Sequence, residues 1–216
     1  MNIRWNKSDH KDYLKAKREY LERYSRIDDV LYDMCKKMPN HNKLREIQAK
    51  VVIIGRTYAT GLERRGGGDN QNGILEKVAD IFFKNRVGID LSLKNLRRVK
   101  SLSIQSGAKE ILIAHGAMVK LLRKETEVNF RSFVSKYLHF HIPVVPIFDS
   151  RASGVLNNWY PWREFQISPS IRNKRGYDEI YIKFLLQFLF YFEGLKKLKL
   201  GPSVRNADYF LIWSAS

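Results

Sequence analysis

The chain has 216 residues, and 39 Lys and Arg against 22 Asp and Glu give it a formal net charge of +17. Hydrophobic residues make up 44% of the chain, which excludes a disordered polymer and suffices for one large domain with its own core. The charge favours a polyanionic partner, because each neutralised phosphate releases a counterion. Nucleic acid is the commonest such partner. The alternative is that the chain is an ordinary basic protein without a polyanionic partner.

Cysteine content and apolar runs indicate the compartment. Cys35 stands alone, which excludes an internal disulfide and fits a reducing cytoplasm, where no disulfide-linked partner is expected. Residues 1–20 lack the apolar block of a signal peptide. The most apolar run, 180–192, contains Lys183 and Gln187 and is shorter than the ~20 residues of a bilayer span. The sequence therefore predicts a cytoplasmic monomer without membrane contact, whose most apolar run is a buried core helix.

Apolar spacing predicts a succession of helices along the chain. A turn at 39–42, a glycine-rich loop at 66–73 and a long loop at 157–177 separate them. Strand signals are too few for a sheet, so residues 1–216 are expected to form a single all-α domain of two intertwined helical subdomains. The predicted helices span 9–25, 28–37, 43–64, 74–85, 90–100, 105–123, 129–140, a segment opened by Asp149, 176–198 and 203–213.

The segment 146–156, Pro-Ile-Phe-Asp-Ser-Arg-Ala-Ser-Gly-Val-Leu, is the most informative part of the chain. Pro143 ends the preceding helix, 144–148 is extended, and Asp149 opens the next helix. Aspartate is a favoured N-cap, because its carboxylate accepts N–H groups of the first helical turn. Lys136 lies thirteen residues upstream on the preceding helix. Taken alone, the sequence around Lys136 favours an ordinary solvated lysine.

Together these residues resemble the lysine and aspartate motif of helix-hairpin-helix DNA glycosylases, over 129–156. In that superfamily a Pro-Ile/Val-x-Asp segment opens a helix, and bifunctional members such as the 8-oxoguanine glycosylases carry a lysine before it. The resemblance implies that Asp149 and Lys136 are catalytic. The chain departs from the pattern in two ways, since 127–133 contains no Gly-x-Gly turn and the interval between lysine and aspartate is short.

The resemblance implies hydrolysis of the N-glycosidic bond of a flipped base in duplex DNA. A fixed carboxylate stabilises the oxocarbenium-like sugar, and a desolvated lysine attacks the anomeric carbon to give a Schiff base. If Lys136 stays charged, water attacks instead. The substrate is a damaged base or, in a bacterial antiviral role, a hypermodified phage base. No cofactor or metal is expected, because His139 and His141 lack a third ligand. The alternative is a non-catalytic basic protein that binds nucleic acid.

Two further groups of residues are candidates for contacts with the substrate. Polar residues near the end of the predicted helix 43–64 and two tryptophans can line a pocket for an extruded base, although each is also typical of an ordinary core or surface position. They are Arg56, Tyr58, Glu63, Trp159 and Trp162. Candidates for contacts with the nucleic acid backbone are Arg97, Arg98, Arg131, Ser135, Arg151 and Lys174, any one of which is usually a plain surface residue.

Overall fold

The computed structural model describes residues 7–58, 60–65, 71–103, 106–165 and 176–215. This part of the chain is an all-α domain without strands, and its only sheet-like feature is an isolated bridge between Ser103 and Gly107. The prediction of a single all-α domain is confirmed. The helices are α1 (Lys7–Arg23), α2 (Ser25–Lys37), α3 (Leu44–Thr57), α4 (Leu62–Arg65), α5 (Gln71–Lys84), α6 (Arg86–Leu96), α7 (Ala108–Thr126), α8 (Arg131–His141), α9 (Ser150–Trp159), α10 (Glu179–Lys197) and α11 (Val204–Trp213).

Several predicted boundaries were wrong: the helix expected over 90–100, for example, is Arg86–Leu96, and two further differences concern 43–64 and 157–177. The helix expected over 43–64 ends at Thr57, where the Thr60 N–H donates to the Gly55 carbonyl (3.2 Å) and Gly61 takes a positive φ of 71°. A left-handed residue stops an α-helix, which glycine allows without strain. The loop expected over 157–177 begins later, because α9 continues to Trp159 and a 3-10 helix follows at Trp162–Glu164.

Helix α8 lies at the centre of the fold. Eight consecutive residues, 133–140, are buried, and α2, α3 and α7 all pack against this helix. A helix that is buried on every face must be enclosed by other helices, so its polar side chains need partners inside the protein. This requirement applies to Lys136, the residue that forms half of the candidate site.

Helix α10 forms the second buried centre, as its apolar sequence predicts. Tyr181, Phe184, Phe188 and Leu195 are fully buried, and α10 packs against α7 and α9. In the described part of the chain, no helix is long and apolar enough to cross a bilayer. The thiol of Cys35 is buried in the core, and burial raises its pKa to about 12, so it behaves as a packing residue.

Helix α11 closes the fold over its first helix, since α11 packs against α1 and α9. Ser203 caps it, with the hydroxyl accepting the Asn206 N–H at 3.0 Å. The residues from Val204 to Leu211 are buried apart from Asn206. This helix carries Arg205 and Asp208 into the interior, toward α8.

Candidate functional site

The connection between α8 and α9 is tied to the core through its backbone. Pro143 cannot extend the helix, so the chain leaves α8 at Ile142. Three buried side chains then hydrogen-bond to the connection at successive points. They are Ser135, which accepts from the Phe148 N–H (2.9 Å), His139, which contacts the Val145 carbonyl (2.7 Å), and Tyr181, which donates to the Pro146 carbonyl (2.8 Å). The start of α9 is therefore held at a fixed position beside α8.

Asp149 caps α9, as the sequence predicts. Its Oδ1 atom accepts the Arg151 N–H at 2.9 Å, and its extended backbone (φ −129°, ψ 142°) is typical of an N-cap residue. The second oxygen, Oδ2, faces the Lys136 amine at 4.0 Å. The side chain of Asp149 is 21% exposed, so the carboxylate is fixed in direction and also reachable from solvent.

Lys136 is buried, contrary to the solvated lysine that its local sequence favours. Only 4% of its side chain is exposed, and its Nζ atom donates to the Ser132 hydroxyl (3.0 Å) and to the Tyr58 carbonyl (3.2 Å). Burial lowers the pKa of the amine below its ordinary value, and the nearby carboxylate of Asp149 opposes that change. The amine is thus held in place and made easier to deprotonate.

A network of buried charges lies behind the lysine. Arg205 contacts Asp28 (2.6 Å) and Asp208 (2.5 Å), and it also donates to the hydroxyl of Tyr58 at 3.2 Å. Tyr58 therefore connects Arg205 to Lys136. Sequence reasoning missed these charged residues, although Arg205 and Asp208, at helical i,i+3 spacing within an apolar segment, were an available signal.

The charged groups of this network shift one another's pKa values. Burial raises the pKa of Asp208 to about 6, although Arg205 and Lys136 lower it. Burial opposes the charge of Arg205, yet Asp208 and Asp28 outweigh that effect and raise its pKa. Arg205 is therefore a permanent cation, while Asp208 can accept a proton near neutral pH.

The residues predicted to bind the substrate divide between this site and the surface. Tyr58 lies at the site, 5.9 Å from the Lys136 amine when measured to the centre of its ring. Arg56 and Glu63 form an exposed ion pair between α3 and α4 (2.8 Å). These two residues lie close to Tyr58 in the chain, but their charges already have a partner.

The two tryptophans predicted to stack on a base lie near the end of α9. Trp159 is 41% exposed and packs by its ring against Tyr191 and Phe210 (centroids 6.1 and 6.0 Å). Trp162 is half-buried and stacks on Phe165 at 5.6 Å. At 1.5 Å per residue, Trp159 is about 15 Å along the helix axis from Asp149.

Two of the predicted nucleic acid contacts serve the fold instead. Ser135 is fully buried, and besides accepting from Phe148 it donates to the Ser132 carbonyl at 2.9 Å. Arg131 forms an ion pair with Asp178 (2.7 Å), which caps α10. Both side chains are therefore assigned structural roles in place of the expected contacts with phosphate.

The other residues predicted to contact the nucleic acid backbone are exposed, where the structure describes them. Arg151 lies beside the site, with 62% of its side chain exposed and its Nε atom 3.6 Å from Asp149. Arg97 and Arg98 are exposed beyond the end of α6, and Arg97 donates to the Pro39 carbonyl at 3.2 Å. Lys174 lies outside the described residues.

Surface cavities of about 500 to 530 Å³ that are lined by neither Lys136 nor Asp149 occur on the described part of the chain. Two of them are lined by α6 and α7, and another by α7 and the residues around Asp178. Among the described residues, no group of three or more His, Cys, Asp or Glu side chains is placed to hold a metal ion. The chemistry that these residues can offer is that of an amine, a carboxylate and their buried counter-charges.

The fold and the site define an all-α protein with a buried lysine opposite a capping aspartate. Residues 9–145 match the family HI_0787_N, described as an N-terminal domain, and because this is more than half of the chain, the protein belongs to that family. The match includes Lys136 and ends before Asp149. No curated protein and no solved structure matches the chain.

Proposed function

We propose that this protein is a DNA glycosylase that releases a modified base, with Asp149 and Lys136 as its catalytic residues. The observation that carries the proposal is the buried amine of Lys136, 4.0 Å from a carboxylate oxygen that is fixed by its capping role and open to solvent. A desolvated amine is a nucleophile, and a fixed carboxylate stabilises positive charge. Cleavage of an N-glycosidic bond uses both properties.

The carboxylate acts first on the sugar. As the bond between the anomeric carbon and the base lengthens, positive charge develops on the deoxyribose, as in glycoside hydrolysis. Asp149 can stabilise that charge without moving, because its other oxygen is hydrogen-bonded to the Arg151 N–H. Groups that are already oriented before the reaction supply most of such stabilisation.

The amine supplies the nucleophile. The neutral Nζ atom of Lys136 forms a bond to the anomeric carbon as the bond to the base breaks, and the base leaves with the electron pair. Asp149 accepts the proton that the attacking nitrogen loses, and the departing base then takes up a proton. Opening of the sugar ring gives a Schiff base, which water hydrolyses to an abasic sugar and the original amine. If Lys136 stays protonated, water attacks in its place and Asp149 is its general base.

The net charge of +17 supports a nucleic acid substrate. Arg151 is the exposed cation next to the carboxylate, so it is placed to contact a phosphate beside the extruded nucleotide. The target base must leave the duplex to reach Lys136, as in other enzymes that act on bases. Both a repair role and an antiviral role against hypermodified phage DNA fit this chemistry.

The test incubates the protein with DNA duplexes that each carry one modified base. The set includes an oxidised base, an alkylated base and glucosylated hydroxymethylcytosine. Alkali-labile sites report base release, and borohydride reduction traps a Schiff base. We expect release from at least one duplex and a trapped adduct that is absent for Lys136→Ala. Asp149→Asn should reduce release by about 10²–10⁴-fold, while DNA binding survives.

Two matched variants control for loss of a similar residue elsewhere. Asp178→Asn alters another capping aspartate, and Lys50→Met removes another buried lysine, whose Nζ atom donates to the Met38 and Asn40 carbonyls. Assayed below their unfolding temperatures, both should retain base release. Equal release by Asp149→Asn and the wild type would refute the assignment.

The second candidate is a nucleic acid-binding protein without catalytic activity, which the net charge alone favours. It predicts salt-dependent DNA binding with no alkali-labile sites on any duplex and no trapped adduct. Under this alternative, Asp149→Asn and Lys136→Ala would leave every DNA readout unchanged.

A further inference from the structure

Tyr58 contacts two cations that come from different parts of the chain. Its carbonyl accepts from the Lys136 amine (3.2 Å), and its hydroxyl accepts from Arg205 (3.2 Å). The Arg205 guanidinium also lies 5.3 Å from the centre of the same ring. A displacement of Arg205 would therefore move the residue that holds the amine.

Arg205 is itself held from two sides. Asp28 and Asp208 are fully buried and contact different nitrogens of its guanidinium, and the hydroxyl of Tyr20 donates to Asp28 at 2.7 Å. The Oδ1 atom of each carboxylate has no hydrogen-bond partner among the described residues. A buried charge network that is only partly satisfied is costly, and proteins keep such arrangements mainly at functional sites.

The charges around the amine balance only while it is protonated. The buried carboxylates of Asp28 and Asp208 share the interior with Lys136 and Arg205, and Asp149 also faces the exposed Arg151 at 3.6 Å. When Lys136 gives up its proton, the two buried carboxylates share one buried cation. The network then gains from holding one proton on a carboxylate, and Asp208 is the carboxylate whose pKa burial raises to about 6.

We propose that Arg205 and Asp208, on the last helix, are positioning residues that fix the location and the protonation state of the Lys136 amine opposite Asp149. This inference rests on the proposed function, since it concerns the same amine. It assigns to α11, which lies outside the family match, a part of the reaction.

The signs of the effects follow from the groups that face Lys136. After burial, which lowers its pKa, Asp149 and Asp208 raise the pKa of the amine, whereas Arg205 and Arg151 lower it. Removal of the Asp208 charge should make the amine lose its proton at lower pH. Removal of the Arg205 charge should have the opposite effect, so one network predicts two opposite shifts.

The experiment compares the pH profile of borohydride trapping for the wild type, Asp208→Asn, Arg205→Gln and Arg205→Lys. We expect the midpoint of the Asp208→Asn profile at lower pH and that of Arg205→Gln at higher pH. In both variants the plateau rate should fall by about 10- to 100-fold, because the amine is displaced. Arg205→Lys keeps the charge, so its midpoint should stay close to that of the wild type.

A second measurement needs neither DNA nor activity. NMR of isotope-labelled lysine side chains follows the titration of the Lys136 amine, and its resonance is identified by its absence in Lys136→Arg. Asp208→Asn should shift this titration to lower pH even if no DNA is ever cleaved, which separates this inference from the glycosylase proposal. An unchanged titration in Asp208→Asn, or shifts of the same sign in Asp208→Asn and Arg205→Gln, would overturn the inference. If Arg205→Gln does not fold, Asp208→Asn alone decides.

Discussion

Two buried polar clusters pack against α8 and differ in the way their charges are satisfied. In the His41 cluster (His41, Asp90 and Tyr137), the imidazole lies between the Asp90 carboxylate (2.6 Å) and the Tyr137 hydroxyl (2.7 Å). In the charged cluster (Lys136, Asp149, Arg205, Asp208 and Asp28), side chains of opposite charge face one another, and two carboxylate oxygens lack hydrogen-bond partners among the described residues.

The difference indicates two roles. Burial lowers the pKa of His41, even though Asp90 raises it, so the imidazole is neutral and uses both ring nitrogens to join α6 to α8. Such a connection stabilises a fold. The charged cluster instead keeps a strained balance of charge and opens to solvent at Asp149, which is typical of a reactive site.

The largest effect on the free energy of unfolding is expected when the pH is lowered. Burial lowers the pKa of His115 to about 4 and that of His139 to about 3, and it also lowers those of His41 and His141. These histidines are neutral when folded, so their contribution to stability is complete above pH 6.5 and falls as the pH drops toward 4. Each adds about 1.4 kcal/mol per pH unit to that fall, so several such histidines together are comparable with a typical folding free energy of about 5–15 kcal/mol. Urea unfolding between pH 8 and 4 measures this loss of stability.

The charged cluster works in the opposite direction over part of this range. Since the pKa of Asp208 is raised from 3.8 to about 6, its stabilising effect is complete below pH 3.8 and is lost as the pH rises through 6. One carboxyl group cannot offset four histidines. His41→Gln should reduce the pH dependence of the free energy of unfolding by the contribution of one histidine. His10→Gln, at an exposed position, serves as the control. A stability that is constant from pH 7 to pH 4 would contradict this picture.

The second effect concerns the guanidinium of Arg205. Arg205→Met leaves Asp28 and Asp208 buried without their cation, which should reduce the free energy of unfolding by about 3–5 kcal/mol. Arg205→Lys should lose less, because the charge remains although the planar fork is gone. Denaturant unfolding at pH 7 compares them. A loss below about 1 kcal/mol for Arg205→Met would mean that the two carboxylates are solvated.

The third effect belongs to the His41 cluster. Tyr137→Phe removes the hydroxyl that contacts His41 and leaves a buried ring nitrogen without this partner, at a cost of about 1–3 kcal/mol. Tyr181→Phe is a matched control, since its buried hydroxyl contacts the Pro146 carbonyl. Thermal unfolding of both proteins should show similar losses. If Tyr137→Phe cost as much as Arg205→Met, the contrast between the clusters would fail.

Sequence reasoning predicted features of the candidate site only where local rules determine structure. The N-cap role of Asp149 and the end of α8 before Pro143 depend on neighbouring residues alone, and the structure has both. The burial of Lys136 depends on three other helices packing around α8, which no local window records. Arg205 and Asp28 are separated by 177 positions, so their contact is a property of the tertiary fold.

The same limit explains the residues whose expected roles changed. Ser135 and Arg131 look like solvent-facing polar residues in the sequence, but a helix enclosed on all sides turns such side chains inward to hold the chain. The end of α3 depends on Gly61 taking a positive φ, which a helical apolar pattern does not reveal. Periodicity therefore predicted the helices, whereas long-range packing determines which polar groups come together at the candidate site.

The smallest effect on stability is expected at Asp149 itself. Asparagine caps helices about as well as aspartate, and the Lys136 amine keeps its bonds to Ser132 and Tyr58, so Asp149→Asn should change the free energy of unfolding by no more than about 0.5 kcal/mol. Asp178→Asn should cost about 1.5–3 kcal/mol, because Asp178 is also the buried partner of Arg131.

The two capping aspartates therefore separate stability from chemistry. Calorimetry on both variants, beside the base-release assay, should show that Asp178→Asn is less stable yet active and that Asp149→Asn is stable yet inactive. That result would identify a carboxylate, held 4.0 Å from a buried amine, that base release requires and stability does not, as a catalytic role predicts. If Asp149→Asn instead lost as much stability as Asp178→Asn, the pair of Lys136 and Asp149 would be a structural ion pair, and the charged cluster would have the same role as the His41 cluster.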